Sequence, residues 1–142
     1  MNNNTKQILQ PAGWVQPRGY ANGVAASGRQ VFVAGQIGWN ERCEFDSDDF
    51  IVQVRQTLLN IRAVLAEAGA APEHIVRMTW YLIDKREYIA RGREVGQAYR
   101  DVLGRDYGIA MSAVQVAALM EDRAKVEIEV TAVVPEVADQ GA

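Results

Sequence analysis

The sequence of 142 residues contains one cysteine, Cys43, and one histidine, His74. A lone cysteine excludes an intramolecular disulfide, and this pair cannot supply the ligands of a His/Cys zinc site within one chain. Acidic residues on both sides of Cys43 disfavour the thiolate form that a cysteine nucleophile needs. His74 follows Pro72-Glu73 in a stretch typical of a solvated turn, an unfavourable place for the base of a triad. We therefore expect no metal site and no Ser-His-Asp triad.

The chain also lacks a long apolar run and a basic stripe. No apolar segment approaches the roughly 18 residues of a membrane helix, and the N-terminal residues MNNNTKQ have none of the regions of a signal peptide. The formal net charge is −3, and lysine and arginine form no stripe that could follow a phosphate backbone. These absences predict a cytoplasmic protein with neither membranes nor nucleic acids among its partners.

The composition that is present fits one globular domain. Hydrophobic residues make up 49% of the chain and charged residues 23%, which is ordinary for a globular protein. We predict a single domain over residues 1–142, with residues 1–5 and 136–142 as flexible tails.

The strongest periodic pattern predicts a helix of about 20 residues. Its apolar stripe repeats at spacings of three and four residues and consists of Val54, Leu58, Ile61, Leu65 and Ala68. Residues 47–49 (Ser-Asp-Asp) can supply an N-cap oxygen and negative charge at the positive helix end. Gly69 follows where a left-handed C-terminal residue is favoured, and Pro72 prevents the helix from resuming.

The remaining patterns predict strands and one more helix. Strands are predicted at Gln7–Leu9, Val31–Ala34 and Ile75–Ile83. In the third of these strands, Val76 and Met78 would lie on the buried side. A loop is predicted from Gly35 to Asp49. A second helix is predicted over 86–103. Met111–Leu119 and Lys125–Val134 are predicted strands joined by a hairpin link at 120–124. The order ββαβαββ indicates an α+β sheet with two helices packed on one face.

The other face of this sheet is predicted to be half polar. Apolar and polar residues alternate in the last strand, so Glu127 and Glu129 would point away from the helices, as would Thr79 and Tyr81. Such a face must be covered by water, a ligand or another subunit. In antiparallel sheets, one face is often covered by water alone.

Several segments together resemble one known family. Ala113–Leu119 (AVQVAAL) followed by Val126–Val130 (VEIEV) resembles the C-terminal signature of the RidA family, also called YjgF or L-PSP. Val33–Ile37 (VAGQI) and Met78–Leu82 (MTWYL) stand in the order and spacing of that family, and the resemblance covers roughly residues 7 to 135.

The resemblance implies a fold, an assembly and an activity. It implies a chorismate-mutase-like α+β fold, assembled as a homotrimer whose sheets form a central barrel, with pockets for a small-molecule substrate in the clefts between subunits. It also implies a hydrolase that converts reactive enamines and imines to ketone and ammonia. This chemistry needs a carboxyl group that positions water and passes protons, and it requires neither a metal nor a cofactor.

The family pattern also implies site residues. The water-positioning glutamate falls on Glu127, and Glu129 lies two residues further on the same strand face. The tyrosine of the early pocket loop falls on Tyr20, the glycine that contributes backbone falls on Gly35, and a small pocket residue falls on Ala113.

Two positions depart from the family pattern. The arginine that clamps the substrate carboxylate is replaced by Met111, and an asparagine on the second helix is replaced by Gly96. Methionine cannot donate hydrogen bonds, so bidentate recognition of a 2-imino acid is lost at its usual place. We therefore expect a substrate other than the usual short 2-imino acids.

Three functions remain open. The first is deamination of another enamine, such as a 2-aminomuconate-like product of ring cleavage, with Met111, Trp80 and Trp39 widening an apolar pocket and Arg18 supplying a relocated anchor. The second is a non-catalytic trimer, a regulatory protein that binds a small ligand or a partner protein, which would explain the missing arginine directly. The third is the ribonuclease activity recorded for some relatives, which the acidic balance makes the weakest.

Overall fold

The computed structural model describes residues 6–136 as a mixture of strands and helices. In chain order the elements are β1 (Gln7–Leu9), β2 (Gly23–Ala25), β3 (Arg29–Ile37), α1 (Phe50–Glu67), β4 (Ile75–Leu82), α2 (Lys85–Ala90), α3 (Gly92–Leu103), β5 (Ala110–Gln115) and β6 (Val126–Val134), with a 3-10 turn at Pro72–His74. The predicted α+β class is confirmed, although β2 is an additional strand. The segments predicted as tails, 1–5 and 136–142, lie outside the described residues apart from Glu136. Within residues 6–136, no helix is both long and apolar enough to cross a membrane.

Four strands form one sheet in the order β3-β6-β4-β5, and β1 and β2 form a separate antiparallel pair. β6 runs antiparallel to β3 and β4, whereas β4 and β5 are parallel. The predicted hairpin between the last two strands is therefore wrong, because β4 lies between them. The chain leaving β5 crosses the end of β4 instead: the amide of Val116 donates to the carbonyl of Leu82 at 2.8 Å, and the amide of Ile83 donates to the carbonyl of Lys125 at 3.3 Å.

Some predicted element boundaries also change. β3 continues through Ile37, although the sequence predicts a loop from Gly35, because a bulge between Val33 and Gln36 lets the strand stay paired with β6. β5 ends at Gln115 rather than at Leu119. The helix predicted over 86–103 is broken into α2 and α3.

The break between α2 and α3 is held by Arg91, whose backbone (φ −102°, ψ 27°) ends one helix and precedes the next. Its guanidinium donates to both carboxylate oxygens of Glu94, at 3.1 and 2.8 Å, and to Oδ1 of Asp49 at 3.0 Å. These hydrogen bonds hold the pKa of both carboxyl groups below their ordinary values. Oδ2 of Asp49 also accepts from the amide of Val52 at 3.1 Å, so the break is tied to the N-terminus of α1.

The helices α1 and α3 cover one face of the four-stranded sheet. The predicted α1 stripe is confirmed at four of its five positions, since Val54, Leu58, Ile61 and Leu65 are each 0% exposed, whereas Ala68 is the half-buried C-cap just beyond the helix. Ile75 takes the core position predicted for Val76, because β4 bulges between Ile75 and Arg77. The other core residues of the sheet and of α3 are Val33, Met78, Trp80, Leu82, Val126, Ile128, Val130, Ala132, Val95, Ala98, Tyr99, Val102 and Leu103.

A buried glutamine ties α1 to the start of β6. Gln53 is 1% exposed, and its Nε2 donates to the carbonyls of Ser47 at 3.1 Å and of Arg123 at 3.0 Å. Its Oε1 accepts from the amide of Lys125 at 2.9 Å. Lys125 stands two residues before Glu127. The side chain of Gln53 therefore holds the start of β6, the strand that carries the candidate glutamate.

Candidate functional site

The sheet face away from the helices carries a polar patch, which we call the outer face. It consists of Arg77, Thr79 and Tyr81 on β4 and Glu127, Glu129 and Thr131 on β6. The register places Tyr81 opposite Glu127 and Thr79 opposite Glu129. A concavity of about 410 Å³ lies on this face and is lined by Phe32, Ala34, Arg77, Thr79, Glu129 and Thr131, with backbone from Val33 and Val130. In the single chain this face is open, and Phe32 is 70% exposed on it.

The side chain of Glu127 lies against the bulge of β3. A Cβ built on Gly35 would lie 2.8 Å from Cδ of Glu127 and closer still to Oε2, so a larger residue at position 35 would make the carboxylate shift from this place. Glu127 is half-buried and accepts no hydrogen bond from residues 6–136, which leaves its oxygens available to a water molecule or a ligand. The structure thus brings together Gly35 and Glu127, two residues that the family resemblance implies as parts of the site.

Glu129 is engaged with a neighbouring side chain, unlike Glu127. The hydroxyl of Tyr81 donates to Oε1 of Glu129 at 2.6 Å. This hydrogen bond raises the pKa of Tyr81 above its ordinary value, and the negative charges of Glu129 and Glu127 act in the same direction. The described chain places no group of three or more histidine, cysteine, aspartate or glutamate side chains so that they could hold a metal ion. Glu127 is therefore the carboxylate on this face best placed for proton transfer.

Three other candidate residues, Tyr20, Met111 and Ala113, lie at the opposite edge of the sheet; we call them the β5 group. The amide of Ala21 donates to the carbonyl of Ile109 at 2.9 Å, which places Tyr20 beside the start of β5. Tyr20 is 41% exposed. Met111 and Ala113 pair with core-facing residues of β4, so both lie on the helix side of the sheet. Met111 packs half-buried against the core, and Ala113 is exposed.

A single chain does not bring Glu127 and the β5 group together. β4 separates β6 from β5, which sets those two strands about 10 Å apart in a sheet of ordinary spacing. Met111 and Ala113 also lie on the face of the sheet opposite to that of Glu127. One copy of the chain therefore presents two half-sites, Glu127 with Gly35 and the β5 group, rather than one closed site.

Two further candidate residues lie elsewhere. Trp80 is 1% exposed and packs edge-on against Tyr88 with 5.9 Å between ring centroids, so its ring is not accessible to a ligand in the described chain. Arg18 lies exposed in the loop before Tyr20. The structure thus keeps Trp80 in the core and leaves Arg18 at the surface.

Gly96, where the family pattern has an asparagine, lies next to Arg100, a residue that the sequence analysis did not identify. Arg100 follows Gly96 by one helical turn on α3, and its Nη1 would lie 3.1 Å from a Cβ at position 96. Nη1 donates to the hydroxyl of Tyr107 at 3.4 Å, and Nη2 donates to Oε1 of Gln97 at 3.2 Å. The spacing of four residues between the glycine and the arginine is the signal that could have identified this contact.

The sequence and the fold of this chain are similar to those of several known proteins. The family model described as Endoribonuclease L-PSP matches residues 15–134. A RutC family protein of Synechocystis is 34% identical over 133 residues, which cover 92% of this chain and 98% of the relative. The crystal structure of the Rid family protein YyfB from Yersinia pestis superposes with a TM-score of 0.79 at 29% identity, covering 92% of this chain and 99% of that one.

A protein of Escherichia coli carries a functional description. "Putative reactive intermediate deaminase TdcF" is 34% identical over 114 residues, which cover 80% of this chain and 85% of the relative. A crystal structure of TdcF with bound serine superposes with a TM-score of 0.64 at 32% identity and covers 89% of this chain and 98% of that one. The family model, the relatives and the shared fold together show that this chain belongs to the RidA/YjgF family, also called L-PSP.

Proposed function

We propose that this protein hydrolyses a reactive enamine or imine and releases ammonia. The observation that carries the proposal is the carboxylate of Glu127, which lies against the glycine backbone of β3 without a protein hydrogen-bond partner among residues 6–136. Membership of the RidA/YjgF family and the description of TdcF as a reactive intermediate deaminase support it.

The reaction follows from the chemistry of a carboxyl group. Glu127 in its acid form protonates the enamine carbon and yields an iminium ion. Glu127 as carboxylate then accepts a proton from a water molecule while the oxygen of that water bonds to the C=N carbon. Return of this proton to nitrogen lets ammonia leave as the C–N bond breaks. The carboxylate of Glu127 then accepts the remaining hydroxyl proton, which completes the ketone and restores the acid form of Glu127. The sum is enamine plus water giving ketone plus ammonia.

The complete site is proposed to form between copies of the chain in a homotrimer. Glu127 and Gly35 of one copy would meet Tyr20 and Ala113 of the next, because one chain keeps Glu127 and Ala113 on opposite faces of its sheet. The open outer face and the exposed Phe32 support this assembly, since association would cover both.

The proposed substrate is larger than a short 2-imino acid. Met111 holds the position of the family's carboxylate clamp, packs against the core and cannot donate a hydrogen bond. A conjugated dicarboxylate enamine such as 2-aminomuconate offers apolar length for contact with Met111 and a second carboxylate for recognition elsewhere.

Ammonia release from enamines generated in situ tests this function. The acceleration of each substrate is its rate with protein divided by its spontaneous rate. We expect this acceleration to be at least about tenfold greater for 2-aminomuconate than for 2-iminopropionate, because recognition of 2-iminopropionate depends on the missing clamp. Reactions without protein measure the spontaneous rates. Acceleration of neither substrate would contradict the proposed activity.

The alternative is a non-catalytic trimer that binds a small ligand. Met111 favours it, because loss of the clamp removes a contact that catalysis uses, and the TdcF structure with bound serine shows that a relative holds an amino acid. Saturable binding of a carboxylate ligand without any ammonia release from the enamines would favour this second function.

A further inference from the structure

Three arginines of the described chain are half-buried, and one of them differs from the other two. Arg55 donates to the carboxylate of Asp101 at 3.1 Å, and Arg91 is paired with two carboxylates. Among residues 6–136, Arg100 donates hydrogen bonds only to neutral groups, the hydroxyl of Tyr107 and the amide oxygen of Gln97. A partly desolvated guanidinium without a carboxylate partner gains free energy when an anion binds to it.

The hydrogen bonds of Arg100 fix its guanidinium and leave donors available. A guanidinium has five N–H groups, and the two hydrogen bonds use one on each Nη. The next residue in sequence is Asp101, whose carboxyl pKa is lowered first by hydrogen bonds from Gln97 and Arg55 and also by the nearby charge of Arg100. Asp101 forms no hydrogen bond or ion pair with Arg100, because its oxygens accept from Arg55 and Gln97. Within residues 6–136, Arg100 therefore keeps donors in the fork arrangement that matches a carboxylate.

A glycine provides the space in which this guanidinium lies. Gly96 has an ordinary helical backbone, so its φ does not require glycine. A side chain there would crowd Nη1 of Arg100, at 3.1 Å from the Cβ. Gly96 thus lowers the helix propensity of α3 but leaves the guanidinium room beside the helix.

Arg100 lies on the side of the sheet that carries the β5 group. Its partner Tyr107 stacks on Tyr99 with 5.2 Å between ring centroids. The carbonyl of Tyr107 accepts from the amide of Ile109, whose own carbonyl accepts from the amide of Ala21, next to Tyr20. Met111 packs against the same core cluster that contains Tyr99. A short series of contacts therefore connects Arg100 with the half-site around Tyr20 and Met111.

We propose that Arg100 is the anion-binding residue of this site and that it holds a carboxylate of the substrate. The proposal rests on the proposed function and specifies its substrate class: an enamine with a carboxylate beyond the reach of position 111. One explanation then covers both the methionine at position 111 and the glycine at position 96. The arginine that binds the substrate carboxylate stands on α3 in this chain instead of on β5. Arg18 is less suited, since it lies exposed in a loop and no residue of the described chain fixes its guanidinium.

Binding of muconate, a dicarboxylate that cannot release ammonia, tests this proposal without catalysis. Arg100→Gln should weaken muconate binding in calorimetric titration about tenfold or more, and the uncharged dimethyl ester should bind the variant and the wild type alike. With 2-aminomuconate as substrate, KM should rise by a similar factor while kcat changes little. Arg86→Gln, which removes the same charge from an exposed position on α2, should bind muconate as the wild type does.

Gly96→Ala provides a second variant that keeps every charge. Its methyl group would lie 3.1 Å from Nη1, so the guanidinium must shift by a few tenths of an ångström and muconate should bind somewhat more weakly. The unfolding temperature should stay level or rise, because alanine favours helix over glycine. Unchanged muconate affinity in both variants, loss of affinity in Arg18→Gln instead, or no muconate binding by the wild type would overturn the proposal. If Arg100 is needed for muconate binding but no enamine is hydrolysed, the proposed activity fails and the anion site stands.

Discussion

Glu127→Gln should lower the rate of ammonia release by about 100- to 10,000-fold, the usual contribution of a general acid–base group. Glutamine keeps the size of the side chain and fills the same space against Gly35, but it can neither give up nor accept the proton that the reaction moves. The fold should be unaffected, because the carboxylate accepts no hydrogen bond from residues 6–136. Steady-state ammonia release and a thermal unfolding curve measure the two effects.

Two control variants separate the role of Glu127 from a general loss of charge. Glu67→Gln removes an exposed carboxylate at the end of α1 and should retain wild-type turnover. Glu129→Gln weakens the hydrogen bond from Tyr81 and should cost much less activity than Glu127→Gln. Turnover by Glu127→Gln within threefold of the wild type would be incompatible with proton transfer by this residue.

Gln53→Met should destabilise the fold by about 3 kcal/mol, since three backbone groups lose the hydrogen bonds that the side-chain amide makes with them. Methionine preserves the length of the side chain, so the effect of packing should be small. Because Lys125 is released two residues before Glu127, turnover should fall as well. Urea unfolding of variant and wild type measures the difference in free energy.

A second glutamine on the same helix provides the matched control. Gln56 is half-buried and makes one side-chain hydrogen bond, from Nε2 to Oδ1 of Asn60 at 2.8 Å. Gln56→Met should therefore change the free energy of unfolding by only about 1 kcal/mol or less. An equal loss in both variants would show that the buried amide of Gln53 has no special role in joining α1 to β6.

Helix α1 could be predicted from the sequence because its signals are local. The apolar stripe repeats with the helical period, Asp49 caps the first turn, and Gly69 adopts the left-handed conformation (φ +68°) just beyond the end. The alternation in β6 likewise identified its buried and polar faces, including the positions of Glu127 and Glu129. Patterns of this kind depend only on neighbours in the chain.

The strand partners and the helix break could not be predicted, because distant residues decide them. Alternation marks a strand but does not say that β4 lies between β5 and β6. The break before α3 depends on Arg91 meeting Asp49, which stands 42 residues earlier in the chain. Gly35 was assigned to a loop for the same reason, since pairing with β6 extends β3 through it.

Part of the candidate site followed from the family resemblance and part did not. The resemblance indicated Glu127, Gly35 and Tyr20, and the structure brings the first two into contact. It also drew attention to Met111 and Gly96 as departures. Arg100 could not be identified from the sequence, because its surroundings depend on the contact with Tyr107 and on the pairing of Asp101 with Arg55, which lies 46 residues earlier in the chain.

Activity in mixed assemblies tests most directly whether Glu127 of one chain works with the β5 group of another. Glu127→Gln lacks the acid, and Ala113→Trp fills the exposed position on β5, so each variant alone should be inactive. When the two are unfolded together and refolded in equal amounts, random association should restore about a quarter of wild-type ammonia release, because one cleft in four then combines two intact half-sites. A mixture as inactive as its components would contradict a site shared between chains.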